Sequence, residues 1–139
     1  MAHKLPTSGR ILGLDIGDAR IGLAAAHIIA RIPAPLETLL NNVDLYAKLR
    51  EIVAREDIGL LVVGIPRNMQ GEETAQSAKI RAQAEDIAKE LGIELVFADE
   101  SLSSRRADDY LAQNKKSGAT QDSLAACFIL EEFIGGVES

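Results

Sequence analysis

Three carboxylates in separate segments are the residues of this chain best suited to chemistry: Asp15 in Gly13-Leu14-Asp15-Ile16-Gly17, Glu100 in Asp99-Glu100-Ser101-Leu102-Ser103, and Asp122 in Gln121-Asp122-Ser123-Leu124-Ala125-Ala126. Carboxylates that converge hold hard divalent cations through oxygen. Two such cations about 3.5–4 Å apart activate a water and stabilise both the attacking and the leaving oxygen of a phosphodiester. Asp15 ends an apolar stretch, and an acid there is costly to bury without a partner. Asp122 has a competing explanation, because a helix dipole favours an acid in the first turn. It also shares a helical face with Ala126, Ile129 and Phe133, which turns it toward the core. Glu100 stands beside Asp99, and residue type alone does not choose between them.

These acids act together only if the fold gathers them. Residues 10–16, 58–65 and 93–98 are short apolar runs of strand length. Residues 71–91 carry apolar side chains at Ala75, Ala78, Ala82, Ile87, Ala88 and Leu91, a helical spacing with polar residues opposite. A strand, helix, strand unit needs its long crossover to join parallel strands, so the carboxyl ends of the last two runs share one sheet edge. If the first run is parallel to them, Asp15 and Glu100 share that edge, and a helix starting at Thr120 or Gln121 brings Asp122 to it.

Elsewhere, the turn-rich Asp15 to Arg20 stretch predicts a hairpin into a second strand at 21–29, with a third strand within 34–40. Asn41 and Asn42 suit a helix start ahead of the stripe Val43, Leu45, Tyr46, Leu49, Ile52 and Val53. Ser103 suits the N-cap of a helix through Gln113, and residues 114–120 form a polar, basic loop. The expected fold class is therefore α/β, a mixed five-stranded sheet with element order βββαβαβαα and helices on both faces.

At 139 residues, 47% apolar and 26% charged, the chain fits one domain over 1–139, with its core at about 9–134. A formal charge of −6 argues against broad electrostatic binding to a polyanion, so nucleic-acid contacts must be local or helped by cations. The first eight residues lack the apolar run of a secretory signal, and no run is long enough to cross a membrane, which predicts a cytoplasmic protein. Cys127 is the single cysteine, which excludes an internal disulfide, and its apolar neighbours make it a small core residue. His27, near the end of an apolar strand, reads as a partly buried packing residue.

Basic and amide side chains flank the proposed edge: Arg20 after the first turn, Arg67 and Asn68 after Gly64-Ile65-Pro66, Arg105 and Arg106 after Glu100, and Lys115 and Lys116 before Asp122. They are the candidate nucleic-acid ligands. Aromatic residues are 4% of the chain and tryptophan is absent, so recognition by shape and backbone is expected rather than base stacking.

Four ordered blocks then carry a resemblance: Gly13-Leu14-Asp15-Ile16-Gly17 with Arg20-Ile21-Gly22, Val62-Val63-Gly64-Ile65-Pro66 through Asn68-Met69-Gln70-Gly71, Asp99-Glu100-Ser101-Leu102-Ser103, and Asp122-Ser123-Leu124-Ala125-Ala126 with Ile129-Leu130. From Gly9 to Phe133 the chain resembles the YqgF family, also called the RuvX-type resolvases, of RNase H-like fold. The resemblance implies a metal-dependent phosphodiesterase, described in this family either as a nuclease trimming precursor small-subunit (16S) ribosomal RNA or as a Holliday junction resolvase. It places the family's acidic positions on Asp15, Glu100 and Asp122, which would hold Mg²⁺ or Mn²⁺, two ions with substrate bound. Asp15 would be the bridging ligand. The sequence departs from the family pattern at Ala19, where a basic residue is common, at Ala24-Ala25-Ala26-His27, where an acid is common, and in the loop 114–121. These departures bear on substrate contacts more than on metal ligands.

Two further classes are separable. An Asp-x-Gly turn between strands also resembles the phosphate-binding turn of the actin and sugar-kinase superfamily, but that fold closes two such domains on a nucleotide. A non-catalytic RNA-binding or assembly factor would be compatible with the negative charge, yet would not require all three acids. A four-way junction suits a homodimer making paired cuts, whereas trimming an RNA end needs only a monomer.

Overall fold

The computed structural model describes residues 9–68, 70–99, 110, 112–113 and 120–135. The apolar runs form β1 (Arg10–Ile16), β2 (Arg20–His27), β3 (Pro33–Leu40), β4 (Ile58–Ile65) and β5 (Glu94–Asp99). Two amphipathic segments form α1 (Leu45–Arg55), between β3 and β4, and α2 (Ala75–Leu91), between β4 and β5, and a predominantly apolar one forms α3 (Gln121–Gly135). Of the helix expected over 103–113, Tyr110, Ala112 and Gln113 are helical, and the remainder lies outside the described residues.

One sheet has the order β3-β2-β1-β4-β5. The hairpin strands pair antiparallel, while β1 with β4 and β4 with β5 pair parallel. The carboxyl ends of β4 and β5 share one edge as the crossover argument requires, and the parallel pairing of β1 with β4 brings the end of β1 to it.

β1 and β4 are apolar on both sides because both faces of the sheet are covered. Leu12, Leu14, Leu61, Val63 and Ile65 pack with Leu49 and Ile52 of α1 and Ala84 and Ile87 of α2. Ile11, Leu60 and Val62 point the other way, onto Ala126, Cys127, Ile129 and Leu130 of α3. Cys127 is buried, and that burial pushes its thiol up to about 11, so it is an inert core residue at neutral pH. No helix among the described residues is long and apolar enough to cross a membrane.

Two boundaries differ from those read in the sequence. β2 ends at His27 rather than continuing to 29, because a tight turn begins there. The His27 Nδ1 accepts the Ile29 N–H at 3.1 Å, and the Arg31 N–H donates to the His27 carbonyl at 2.8 Å, with Arg31 at φ +58°. His27 is thus an exposed turn residue, not a packing one, and Ile29 is 80% exposed. Helix α1 starts at Leu45, leaving Val43 95% exposed, because the Asn42 side chain closes a local turn onto the Asp44 N–H and Asn41 is recruited elsewhere.

The start of α2 is fastened more firmly. Thr74 and Ser77 exchange side-chain to backbone hydrogen bonds as a capping box, and the buried Ser77 hydroxyl also donates to the Pro66 carbonyl just beyond β4. Ser77→Ala leaves that carbonyl without its donor. The denaturant midpoint is expected to fall by the equivalent of about 1–3 kcal/mol at unchanged m-value.

Candidate metal and nucleic-acid site

Asp15 is the penultimate residue of β1, one position beyond the rung that joins Leu14 to Val63 and Val63 to Phe97. Strand alternation puts it on the α3 side of the sheet with Ile11 and Gly13. Its cross-strand partner on β2 is Gly22. Over this pair lies the first turn of α3. A Cβ built on Gly22 would stand 2.0 Å from the Asp122 carbonyl oxygen and 2.3 Å from its carbonyl carbon. One built on Gly13 would stand 2.6 Å from Leu130 Cγ. Both glycines are needed for close approach rather than for unusual backbone angles, and the approach is what seats Asp122 beside Asp15.

The start of α3 is held from the other side by Thr120. Its hydroxyl accepts the Ser123 N–H at 3.1 Å and lies 2.6 Å from the Thr38 hydroxyl on β3. This ties the helix to the sheet at the turn that carries Asp122.

The two acids differ in environment. Burial, and then repulsion from Asp122, raise the Asp15 carboxyl to about 6. Asp15 makes no hydrogen bond or ion pair among the described residues. Asp122 instead accepts from Arg20 Nε at 3.0 Å. A half-buried, unpaired carboxylate next to a second carboxylate is a donor set that suits a hard divalent cation, which would remove both the repulsion and the desolvation deficit.

The turn between β1 and β2 is clamped from the opposite face of the sheet. The Asn41 N–H donates to the Ala19 carbonyl at 2.9 Å, and its side-chain amide donates to the Gly17 carbonyl at 2.9 Å. Asn41 and Gln83 of α2 also exchange amide hydrogen bonds at 3.1 and 2.7 Å, and Lys79 pairs with Asp18 at 3.1 Å. An asparagine at a strand end and a glutamine on a helix carry no long-range pairing signal in the sequence, so the roles of Asn41, Gln83 and Gly22 emerge only in three dimensions.

Of the basic and amide candidates, Arg20 stands at the acids. Arg67 is directed into its own loop, donating to Asp99 Oδ1 at 2.9 Å and the Gly71 carbonyl at 3.1 Å, with Glu73 at 3.7 Å. Asn68 closes that loop by accepting the Gln70 and Glu72 N–H groups at 3.0 and 2.9 Å. Glu100, Arg105, Arg106, Lys115 and Lys116 lie outside the described residues.

A mixed sheet of this order, with helices packed on both faces, is the architecture of the RNase H-like resolvase fold. Among solved structures the chain superposes on Thermus thermophilus RuvC in complex with a Holliday junction substrate, with TM-score 0.58 and 14% identity, covering 94% of this chain and 98% of that one. It also superposes on the Fowlpox virus resolvase in complex with substrate Holliday junction DNA, with TM-score 0.52 and 11% identity over 88% and 93% of the two chains. At those identities the likeness establishes the fold. A family model described as "RuvX: Holliday junction resolvase" matches residues 9–135, and the chain belongs to that family.

Relatives are similar over most of their length. A Fusobacterium nucleatum protein named "Putative pre-16S rRNA nuclease" is 38% identical over 132 residues, covering 90% of this chain and 96% of that one. An Anaeromyxobacter protein of the same name is 38% identical over 134 residues, covering 91% and 97%. The family and fold expected from the four sequence blocks are both borne out.

Proposed function

We propose that this chain is a divalent-metal-dependent nuclease that trims the 5′ end of precursor 16S ribosomal RNA in the cytoplasm, acting as a single nuclease domain. The observation that carries the reading is the Asp15 carboxylate, without a partner among the described residues, set against Asp122 at the carboxyl edge of the parallel strands. The names of the similar relatives support the RNA substrate.

Asp15, Asp122 and Glu100 are the residues that would hold the divalent metal. Glu100 is assigned on the resemblance of Asp99-Glu100-Ser101-Leu102-Ser103 to the family pattern, which puts the family's acid at that position. Mg²⁺ or Mn²⁺ held there would supply Lewis-acid activation of water and of the phosphoryl oxygen. Arg20 contributes a guanidinium for the phosphate backbone at the same edge, supported by Arg105, Arg106, Lys115 and Lys116. Arg67 and Asn68 shape the loop at the end of β4 that borders the path of the strand. With a net charge of −6, these local cations and the metal carry the contacts to the polyanion.

The resolvase neighbours favour a second reading, cleavage of branched DNA by a homodimer, whereas trimming of RNA is work for a monomer. Incubation of the purified protein and its Asp15→Asn variant with labelled precursor ribosomal RNA and a four-way DNA junction, each with Mg²⁺, Mn²⁺ or EDTA, tests both. The expected result is metal-dependent shortening of the RNA that is absent from the variant. Junction cleavage alone would select the second reading, and cleavage of neither would leave a binding or assembly role.

A further inference from the structure

We propose that Arg20 is a resident counter-ion of Asp122 that a divalent cation displaces, so that loading the metal frees a guanidinium for the phosphate backbone of the substrate. This rests on the metal-dependent nuclease reading and adds a coupling between its two ligands.

The geometry of the pair supports exchange rather than a permanent bridge. Arg20 is the first residue of β2, directly after the Gly17 to Ala19 turn, and it meets Asp122 through one nitrogen, Nε, at 3.0 Å. Among the described residues neither of its terminal nitrogens makes a hydrogen bond. A guanidinium offers five donors in a planar fork, so most of its capacity is still open to an anion. The side chains are 62% exposed for Arg20 and 34% for Asp122. Ion pairs with that much solvent access shift an equilibrium by no more than about fivefold. A divalent ion carries twice the charge and binds oxygen at about 2.0–2.1 Å, closer than a guanidinium nitrogen can approach. It therefore wins Asp122 at modest cost.

The backbone around the exchange is fixed while the side chain is not. Asn41 holds the Gly17 and Ala19 carbonyls, and Thr120 holds the start of α3 against β3. Arg20 can thus leave Asp122 by rotating its own stem, with no movement of either strand or helix. Once released, it stands at the same edge as the acids, where a phosphodiester must lie to reach them. Metal binding and nucleic-acid binding are then linked, and each strengthens the other by the same factor.

Calorimetric titration of Mn²⁺ into the metal-free wild type, Arg20→Gln and Arg20→Lys separates this role from a structural one, after thermal unfolding confirms that each variant is folded. Arg20→Gln is expected to bind Mn²⁺ about two- to fivefold more tightly than wild type, and Arg20→Lys to fall near wild type. In a second arm, binding of a labelled precursor-rRNA fragment is measured with and without Ca²⁺ in place of the catalytic ion. The gain in RNA affinity conferred by Ca²⁺ on the wild type should shrink at least about threefold in Arg20→Gln. Unchanged or weaker Mn²⁺ binding by Arg20→Gln would overturn the proposal, since Arg20 would then position Asp122 rather than compete for it. A wild type that binds no Mn²⁺ would overturn the metal-nuclease reading and this coupling together.

Discussion

Asp15→Asn is expected to abolish metal-dependent cleavage while making the metal-free protein more stable above neutral pH. The loss of activity should be at least about a hundredfold, equivalent to roughly 3 kcal/mol of transition-state stabilisation. The gain in stability follows from burial. Asp15 is raised from 3.8 to about 6 in the folded protein, so the native state holds this proton more tightly than the unfolded chain does. The contribution of Asp15 to wild-type stability is therefore lost as pH rises between about 4 and 6, then stays at the lower level once the carboxylate is ionised in both states. The shift corresponds to about 3 kcal/mol at most, and partial solvation of the side chain brings the expected difference nearer to about 1–2 kcal/mol.

Asparagine keeps the shape and removes the charge. Denaturation curves of the two proteins in EDTA should coincide near pH 4 and separate by about pH 7, with the variant the more stable. Millimolar Mg²⁺ should raise the melting temperature of wild type and leave the variant unmoved. Because the ion competes with the proton for Asp15, its affinity for wild type should rise with pH and level off above about 6. A variant less stable than wild type at about pH 8 would show that Asp15 already has a stabilising partner without metal.

Gly22→Ala is expected to produce the largest structural effect of any single methyl group in the chain's site region. The added carbon would meet the Asp122 backbone at 2.0 and 2.3 Å, and backbone cannot rotate away as a side chain can. Either α3 lifts off the sheet or β2 shifts away from β1, and both separate Asp122 from Asp15. We expect a loss of about 3 kcal/mol or more, at the upper end of overpacking effects, together with loss of divalent-cation binding. Gly13→Ala provides the contrast. Its nearest contact is the Leu130 side chain at 2.6 Å, which can repack, so about 1–2 kcal/mol and a weakened but measurable affinity for the ion are expected. Urea denaturation and Mn²⁺ titration of the two variants would decide; equal effects would mean that α3 adjusts as a body to either methyl group.

The contrast between these glycines also marks how far a single sequence can be read. The runs 10–16 and 58–65 became β1 and β4 to the residue, because a strand buried on both faces must be continuously apolar and a turn must follow it. The parallel pairing of β4 and β5 followed from one long crossover. That β1 runs the same way, and so brings Asp15 to that edge, was decided by its pairing with β4 in the tertiary structure. That Asp15 and Asp122 would come together was legible, because an acid ending an apolar strand has no inexpensive explanation and the helical face of Asp122 runs through Ala126 and Ile129 into the core. Four ordered blocks were enough to specify the family.

Side-chain partnership was not legible. Arg20 and Arg67 look alike in the sequence, each a basic residue just after a turn or a strand end. Tertiary structure sends Arg20 to Asp122 across 102 positions and Arg67 to Asp99 and its own loop. Asn41 became the clamp on the turn between β1 and β2 rather than a helix start, and Gly22 became the floor beneath Asp122. The division has one physical cause. Strands, helices and their order are set by burial patterns that repeat about every two or 3.6 residues along the chain, and a sequence displays that period directly. Which carboxylate meets which cation depends on distances between elements far apart in sequence, and only the packed sheet with its helices determines those.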